Sequence, residues 1–295
     1  MRWTLLALLA ACGGSDDGGL STVEDAPVAL TSPYRVWDFS PGAVWVLDGS
    51  ATIHTYDGTR WGELTAPSPV NCIYALSLTD VRLCSGTSVL QYNGDQFTNV
   101  DVGIETTAIY ASSSSDYWVV GDSATAMHFN GSSMASFSLG GSFQGSVWGS
   151  GPNDIYVLGT FGFEHFDGSA FTEIEIDGIP AGGDGQVWGT AANDVWLANG
   201  DDRIYHFDGA AWTASDELND ISAIWGSGPN SVWAAGSAGY IAHFDGSWHQ
   251  LHMQKIGAPY LQDLLAVHGS AQNDVWIVGR QLGEGGSTGL LYHLD

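Results

Sequence analysis

The stretch from Ile224 to Leu251, IWGSGPNSVWAAGSAGYIAHFDGSWHQL, constrains the fold more than any other feature, because its pieces recur along most of the chain. Ile224-Trp225 opens a short apolar run that ends in the turn residues Gly226-Ser227-Gly228-Pro229-Asn230. Val232 to Ala235 is a second run, Tyr240 to Phe244 a third that ends at Asp245-Gly246, and Trp248 starts a fourth. Short β-branched and aromatic runs punctuated by Gly, Pro, Asn and Asp read as strands joined by tight turns. Asp-Gly is suited to a two-residue type I′ hairpin, which needs φ > 0 at both central positions. Each unit is therefore expected to be a four-stranded antiparallel meander.

Seven copies follow one another. The first-strand aromatic or its substitute stands at Trp37, Tyr74, Tyr110, Trp148, Trp188, Trp225 and His268, which is 231 residues over six intervals, or 38.5 per repeat. The second-strand aromatic stands at Trp45, Trp118, Tyr156, Trp196, Trp233 and Trp276, with Arg82 in the second copy. A period near 40 with four strands per unit is that of a β-propeller blade. The seventh copy stops at Asp295, before a fourth strand, and the segment Val23 to Leu30 precedes the first copy. That segment is expected to supply the missing strand and close the ring, which removes the free sheet edge. The expected fold is an all-β, seven-bladed β-propeller of four-stranded antiparallel blades, closed by an N-terminal strand and spanning 23–295.

The first residues carry an address. Arg2 is followed by the apolar run Trp3 to Ala10 and by small residues before Cys12, the pattern of a secretion signal. Leu9-Ala10-Ala11-Cys12 resembles the lipobox of bacterial lipoproteins. By that resemblance 1–11 is a lipoprotein signal peptide, Cys12 is lipidated, and Gly13 after it points to outer-membrane sorting. The Gly- and Asp-rich stretch within 12–22 reads as a flexible tether. An apolar run of eight residues cannot span a bilayer, which takes about 20, so the membrane is expected to be reached through the lipid alone.

With Cys12 set aside, Cys72 and Cys84 lie on neighbouring strands of the second copy, twelve residues apart around a hairpin. An export compartment permits a disulfide between them; the alternative is two buried free thiols. The formal charge of −26 disfavours nucleic acid and anionic lipid as partners. Such a surface would suit Ca²⁺, yet no segment has the alternating Asp and Asn spacing of a calcium loop. Neither a cofactor nor a metal is therefore expected, and Ca²⁺ is the one ion the composition leaves open.

Histidines are the most tempting chemistry. His128, His165, His206, His243 and His293 occupy one slot, two residues before the hairpin Asp or Asn or, for His293, before Asp295. That slot is on the third strand, roughly 10 Å outside the innermost one at a strand spacing of about 4.8 Å. Histidines on different blades then cannot converge on one ion. Their expected role is a buried hydrogen bond within each blade, to Asp116, Asp154, Asp194 or Asp274 at the start of the second strand. Gly149, Gly189, Gly226 and Gly269 are expected to face a crowded central channel, and the aromatics to pack between blades. Phe161, Phe163 and Tyr260 fall outside the regular slots and, with Lys255, are the expected ligand-loop residues. Lys255 and Tyr260 lie in the longer connection Met253 to Asp263; Glu173 to Gly185 and a glycine-rich insertion, Gln281 to Gly289, are the other places where a ligand site could be grafted.

No metalloprotease helix motif, phosphate loop or nucleophile elbow is present. The five arginines after the signal are scattered over different blade positions rather than clustered on a substrate carboxylate. The phrases VWGSGPND (147–154), VWGTAANDVW (187–196), IWGSGPNSVW (224–233) and the HFDG turns resemble the WGSGPNDVW-type repeats of secreted or lipoprotein bacterial propellers, distantly similar to kelch and Asp-box propellers. The resemblance covers about residues 34–295 and brings no catalytic residues. The expected function is that of a lipid-anchored, monomeric, non-catalytic binding module of the cell envelope, on the periplasmic or outer face of the outer membrane, whose ligand is a protein or a glycan. The alternatives are a scaffold subunit of an envelope assembly and, further off, a propeller hydrolase or lyase.

Overall fold

The computed structural model describes residues 20–23, 30, 32–141, 145–160, 162–176, 185–199, 202–215, 218, 220–251, 262–283 and 286–294. Over these residues the chain forms seven four-stranded antiparallel sheets. Blade 1 runs from Arg35–Ser40 at the axis through Ala43–Leu47 and Thr52–Tyr56 to Trp61–Thr65 at the rim. Blades 2 to 6 repeat that order, each from its own innermost strand outwards: Cys72–Ser77, Thr106–Ser113, Ser146–Gly151, Gln186–Ala191 and Ile221–Gly228. Consecutive innermost strands touch, and that of blade 7, Gln262–Ala271, touches that of blade 1, so the ring is closed. The second strands are buried almost throughout, as Ser231–Gly236 is, because a blade is covered on both faces by its neighbours. Such strands read as continuous apolar runs; the outermost strands, such as Trp61–Thr65, alternate towards solvent.

The closing strand lies upstream of its expected place. Leu20–Thr22, not Val23 to Leu30, pairs antiparallel with Gly286–Leu294, with Leu20 opposite Leu294 and Thr22 opposite Tyr292. The Val23 N–H still donates to the Leu291 carbonyl at 3.1 Å, so the ladder ends where the sequence reading had it begin. The propeller therefore takes in residues assigned above to the tether. The signal segment and Cys12 lie outside the described residues.

Two local expectations are also revised. The Asp-Gly turns are not two-residue type I′ hairpins: Tyr56 pairs with Trp61 across the four-residue loop Asp57 to Arg60. Only the glycine is left-handed there (Gly58, φ 87°), because Asp57 Oδ1 accepts from the N–H groups of Thr59 (3.0 Å) and Arg60 (2.9 Å) and fixes the loop as an Asx turn. The glycine-rich insertion of blade 7 is not a free loop, since Asp274–Gly283 and Gly286–Leu294 carry the ladder out to Gly283 opposite Gly286.

Cys72 and Cys84 are opposite one another across the first hairpin of blade 2 and are bonded, with an S–S distance of 2.04 Å. Arg82, which replaces the second-strand aromatic in this blade, is fully buried. It reaches Asp80 at 2.8 Å and the Ser114 carbonyl at 2.6 Å, and its guanidinium is 5.1 Å from the centre of the Tyr117 ring. A charged side chain here ties blade 2 to blade 3 where the other blades use an indole or phenol.

Candidate functional site

The repeated histidines form hydrogen-bonded ties. His128 Nε2 is 3.1 Å from Asp116, His165 Nε2 is 2.5 Å from Asp154, His206 Nε2 is 2.7 Å from Asp194 and His293 Nε2 is 2.8 Å from Asp274. Each imidazole is stacked on the second-strand aromatic behind it, from His206 on Trp196 at 3.8 Å to His165 on Tyr156 at 4.4 Å. On its other side each carboxylate accepts from a hydroxyl in the preceding turn: Ser112, Ser150, Thr190 or Ser270. The order is hydroxyl, carboxylate, imidazole. A nucleophile needs its hydroxyl on the imidazole, so these chains lock the inner turn to the third strand and activate nothing. Blade 6 departs from the scheme: Ser231 stands in the aspartate position, and His243 Nε2 and Ser231 Oγ have no partner among the described residues. Burial lowers the pKa of His243, which rests on Trp233 at 4.4 Å.

Of the expected ligand-loop residues, only Phe163 lies among the described residues. Phe163 lies inside the third strand of blade 4, buried, 5.8 Å from Tyr156 and edge-on to Trp212 at 5.4 Å. It fills the seam between blades 4 and 5. Phe161, Lys255 and Tyr260 lie outside the described residues. Among the described residues no group of three or more His, Cys, Asp or Glu is placed to hold a metal ion.

The large cavity is the central channel, of about 760 Å³. Its wall includes Trp37, Tyr74, Trp148, Trp188, Trp225 and His268, the first-strand aromatic slot of six blades. Each side chain leans onto the next blade. The Trp148 indole rests where a Cβ at Gly189 would sit, Trp188 does the same at Gly226 and Trp225 at Gly269. The glycines are small because an aromatic from the neighbouring blade occupies their side-chain space, rather than because the channel is crowded. The ring continues through His268 on Trp37 (4.2 Å), Trp37 to Tyr74 (5.1 Å) and Tyr74 to Tyr110 (5.4 Å). His268, between two indoles, is pulled down to a pKa of about 3 by desolvation, and its Nδ1 accepts from the Asp38 N–H at 3.1 Å. That bond puts the neutral ring's proton on Nε2.

One end of the channel is polar. Arg35, Ser146 and Gln186 stand two residues before the aromatic of their blades, and Thr107 and Ser222 sit at register shifts of theirs. Most of these polar atoms stitch neighbouring blades: Ser146 Oγ meets both the N–H and the carbonyl of Val187, and Gln186 Oε1 accepts from the Ile224 N–H at 3.1 Å. No Asp or Glu lines the cavity among the described residues, in a chain with 33 of them. The sequence showed the slot but not its exposure to the channel. The usable signal was that the innermost strand of a blade is a sheet edge, so residues at its ends border the axis whichever face they take.

No protein-family model matches the sequence, and no curated protein matches it. Solved structures do resemble it in shape. YCF48 from Cyanidioschyzon merolae superposes with a TM-score of 0.70 at 12% identity, over 94% of this chain and 98% of that one. The Neurospora crassa Pan2 WD40 domain gives 0.68 at 11% identity, over 95% and 97%. The extracellular domain of the putative hybrid two component system BT3049 from B. thetaiotaomicron gives 0.71 at 12% identity, over 94% of this chain and 41% of that one. At such identities the likeness is one of fold: the chain is a seven-bladed β-propeller of four-stranded antiparallel sheets.

Proposed function

We propose that this chain is a non-catalytic binding module of the cell envelope, held to the outer membrane by a lipid on Cys12, whose ligand is a protein or a glycan that enters the central channel. The observation that carries the reading is the channel itself: about 760 Å³, walled in part by partly buried aromatic rings and free of carboxylates among the described residues. Ligand sites combine such apolar walls with a few convergent polar groups, and here Arg35, Ser146 and Gln186 share one end. The neighbours are in keeping with it. One solved structure is of YCF48 bound to D1 peptide, and others are extracellular domains of B. thetaiotaomicron proteins. Leu76 and Leu78, both 44% exposed on the first turn of blade 2, favour a second reading, in which the rim docks on a protein as a scaffold does.

The test is an array of glycans and short peptides probed with the full chain. Selective binding that falls at least tenfold in Trp188→Ala, with the fold retained by circular dichroism, is the expected result; binding indifferent to that change would move the site out of the channel. The anchor is checked separately. Cys12→Ala is expected to shift the protein from the membrane pellet to the soluble fraction, and unchanged partitioning would remove the lipid from the proposal.

A further inference from the structure

Arg35 is the one permanently charged residue on the described wall of the channel. Its Nη1 donates to the Tyr34 carbonyl at 2.9 Å, and its guanidinium lies 5.4 Å from the centre of the Tyr34 ring. No carboxylate of the described residues pairs with it, although Arg60, Arg82 and Arg280 each have an aspartate partner. Burial against the wall lowers its pKa. A guanidinium presents five donors in a fork that matches a carboxylate, and one carbonyl leaves most of that fork unused. In a chain of net charge −26, an arginine that no acid among the described residues pairs with, in a cavity that none of them lines, is a vacancy for an anion.

The rest of the channel says what carries that anion. In every sheet the innermost strand is hydrogen-bonded on one side only, so seven strand edges border the axis. Unpaired edge N–H and C=O groups are spaced for another peptide backbone. The amide N–H groups of Gln186, at the level of Arg35, are unclaimed among the described residues. The outer surface, strongly acidic, attracts a cationic body and repels a polyanion, so a ligand with a single carboxylate at its tip fits and an acidic polysaccharide does not.

Building on the channel as the binding site, we infer that it takes the free C-terminus of an extended, basic peptide segment, with the terminal carboxylate on Arg35 and the backbone against the inner strand edges. The carboxylate forms charge-assisted hydrogen bonds with the guanidinium, and the aromatic rings of Trp148, Trp188 and Trp225 meet the side chains behind it.

Two pools of randomised heptapeptides, identical except for a free or an amidated C-terminus, test this when presented to the immobilised full chain and read by mass spectrometry. The free-acid pool is expected to be retained at least tenfold over the amidated one, with Lys and Arg enriched. That advantage should vanish in Arg35→Gln and return in part in Arg35→Lys, each checked for an unchanged melting temperature. Equal retention of the two pools overturns the carboxylate assignment and leaves the channel as a binding site. A free-acid preference that survives in Arg35→Gln overturns the role of Arg35. If neither pool is retained while a glycan binds in a Trp188-dependent way, the peptide is overturned and the proposed function stands; if nothing on either array binds, both fall.

Discussion

Gly189→Ala is expected to destabilise the propeller by about 3 kcal/mol or more, the upper range for an overpacked core. The Cβ it adds would lie 2.5 Å from the Asp194 carbonyl oxygen and 2.7 Å from Trp148 Cη2. The oxygen belongs to the first hairpin of blade 5 and cannot retreat without disturbing that ladder, whose register already shifts between Gly189 and Ala191. The indole is held from behind by its own blade, where Trp148 lies across from Tyr156. Gly151→Ala is the control: a Cβ there meets nothing within 4 Å and its φ is not positive, so a surface-like effect under about 0.5 kcal/mol is expected. Urea unfolding of the two variants decides the matter. Similar midpoints for both would mean that the aromatic ring is loosely packed and that Gly189 is not its seat.

The second large effect is set by the seam between blades 7 and 1. Asp38, buried in the innermost strand of blade 1, has Oδ1 on the Ser40 N–H at 3.1 Å, while Oδ2 is buried without a donor. Burial and then the neighbouring Asp274 push its pKa up from the ordinary carboxyl value to about 8. A proton retained on Asp38 and shared with the neighbouring Asp274 would satisfy both groups. Asp274 is held below the ordinary value by its hydrogen bonds to Ser270 and His293, against the burial that opposes them, and so serves as the ionised partner.

The consequence for stability runs opposite to that of most carboxylates. In the unfolded chain Asp38 loses its proton near pH 4, in the folded chain near pH 8, so the folded state binds more protons across that window and stability falls as pH rises through it. His268 acts the other way: its depressed pKa costs stability below about pH 6.5, where the unfolded chain would protonate. The interval from pH 6.5 to 9 therefore isolates Asp38. Each tenfold change in proton affinity is worth about 1.4 kcal/mol, so wild type is expected to lose about 2 kcal/mol over that interval. Asp38→Asn keeps the acceptor for Ser40 and supplies a permanent N–H donor to Asp274. It is expected to be more stable than wild type by on the order of 3 kcal/mol at pH 9, with a flatter profile. Urea midpoints at pH 6.5 and 9 measure this; parallel profiles for the two proteins would rule out the shared proton.

The architecture was legible because it is local and repeated seven times. A period of 38.5 residues, one aromatic per first strand and one turn-forming Asp-Gly or Asn-Gly in most copies fix blade number and strand order before any long-range contact is considered. The histidine–aspartate ties were legible for the same reason, since both partners belong to one repeat. Turn type was less so: Asp57 captures two N–H groups with its side chain and opens the hairpin to four residues, a choice made by hydrogen bonds that Asp-Gly alone does not specify.

Phe163 marks where sequence reasoning stops. It breaks the repeat pattern as a ligand residue would, yet strand alternation turns it into the seam with blade 5. The amino-acid sequence by itself determined the unit and its count, because hydrophobic period and turn chemistry act within 40 residues. Only the tertiary structure decided what happens at the axis and at the seam. Arg35, Gln186 and Ser222 share a cavity, Asp38 meets Asp274, and His268 stacks on Trp37 because ring closure brings together residues more than 200 positions apart. Nothing in a periodic pattern records which side chains face one another once the first and last blades touch.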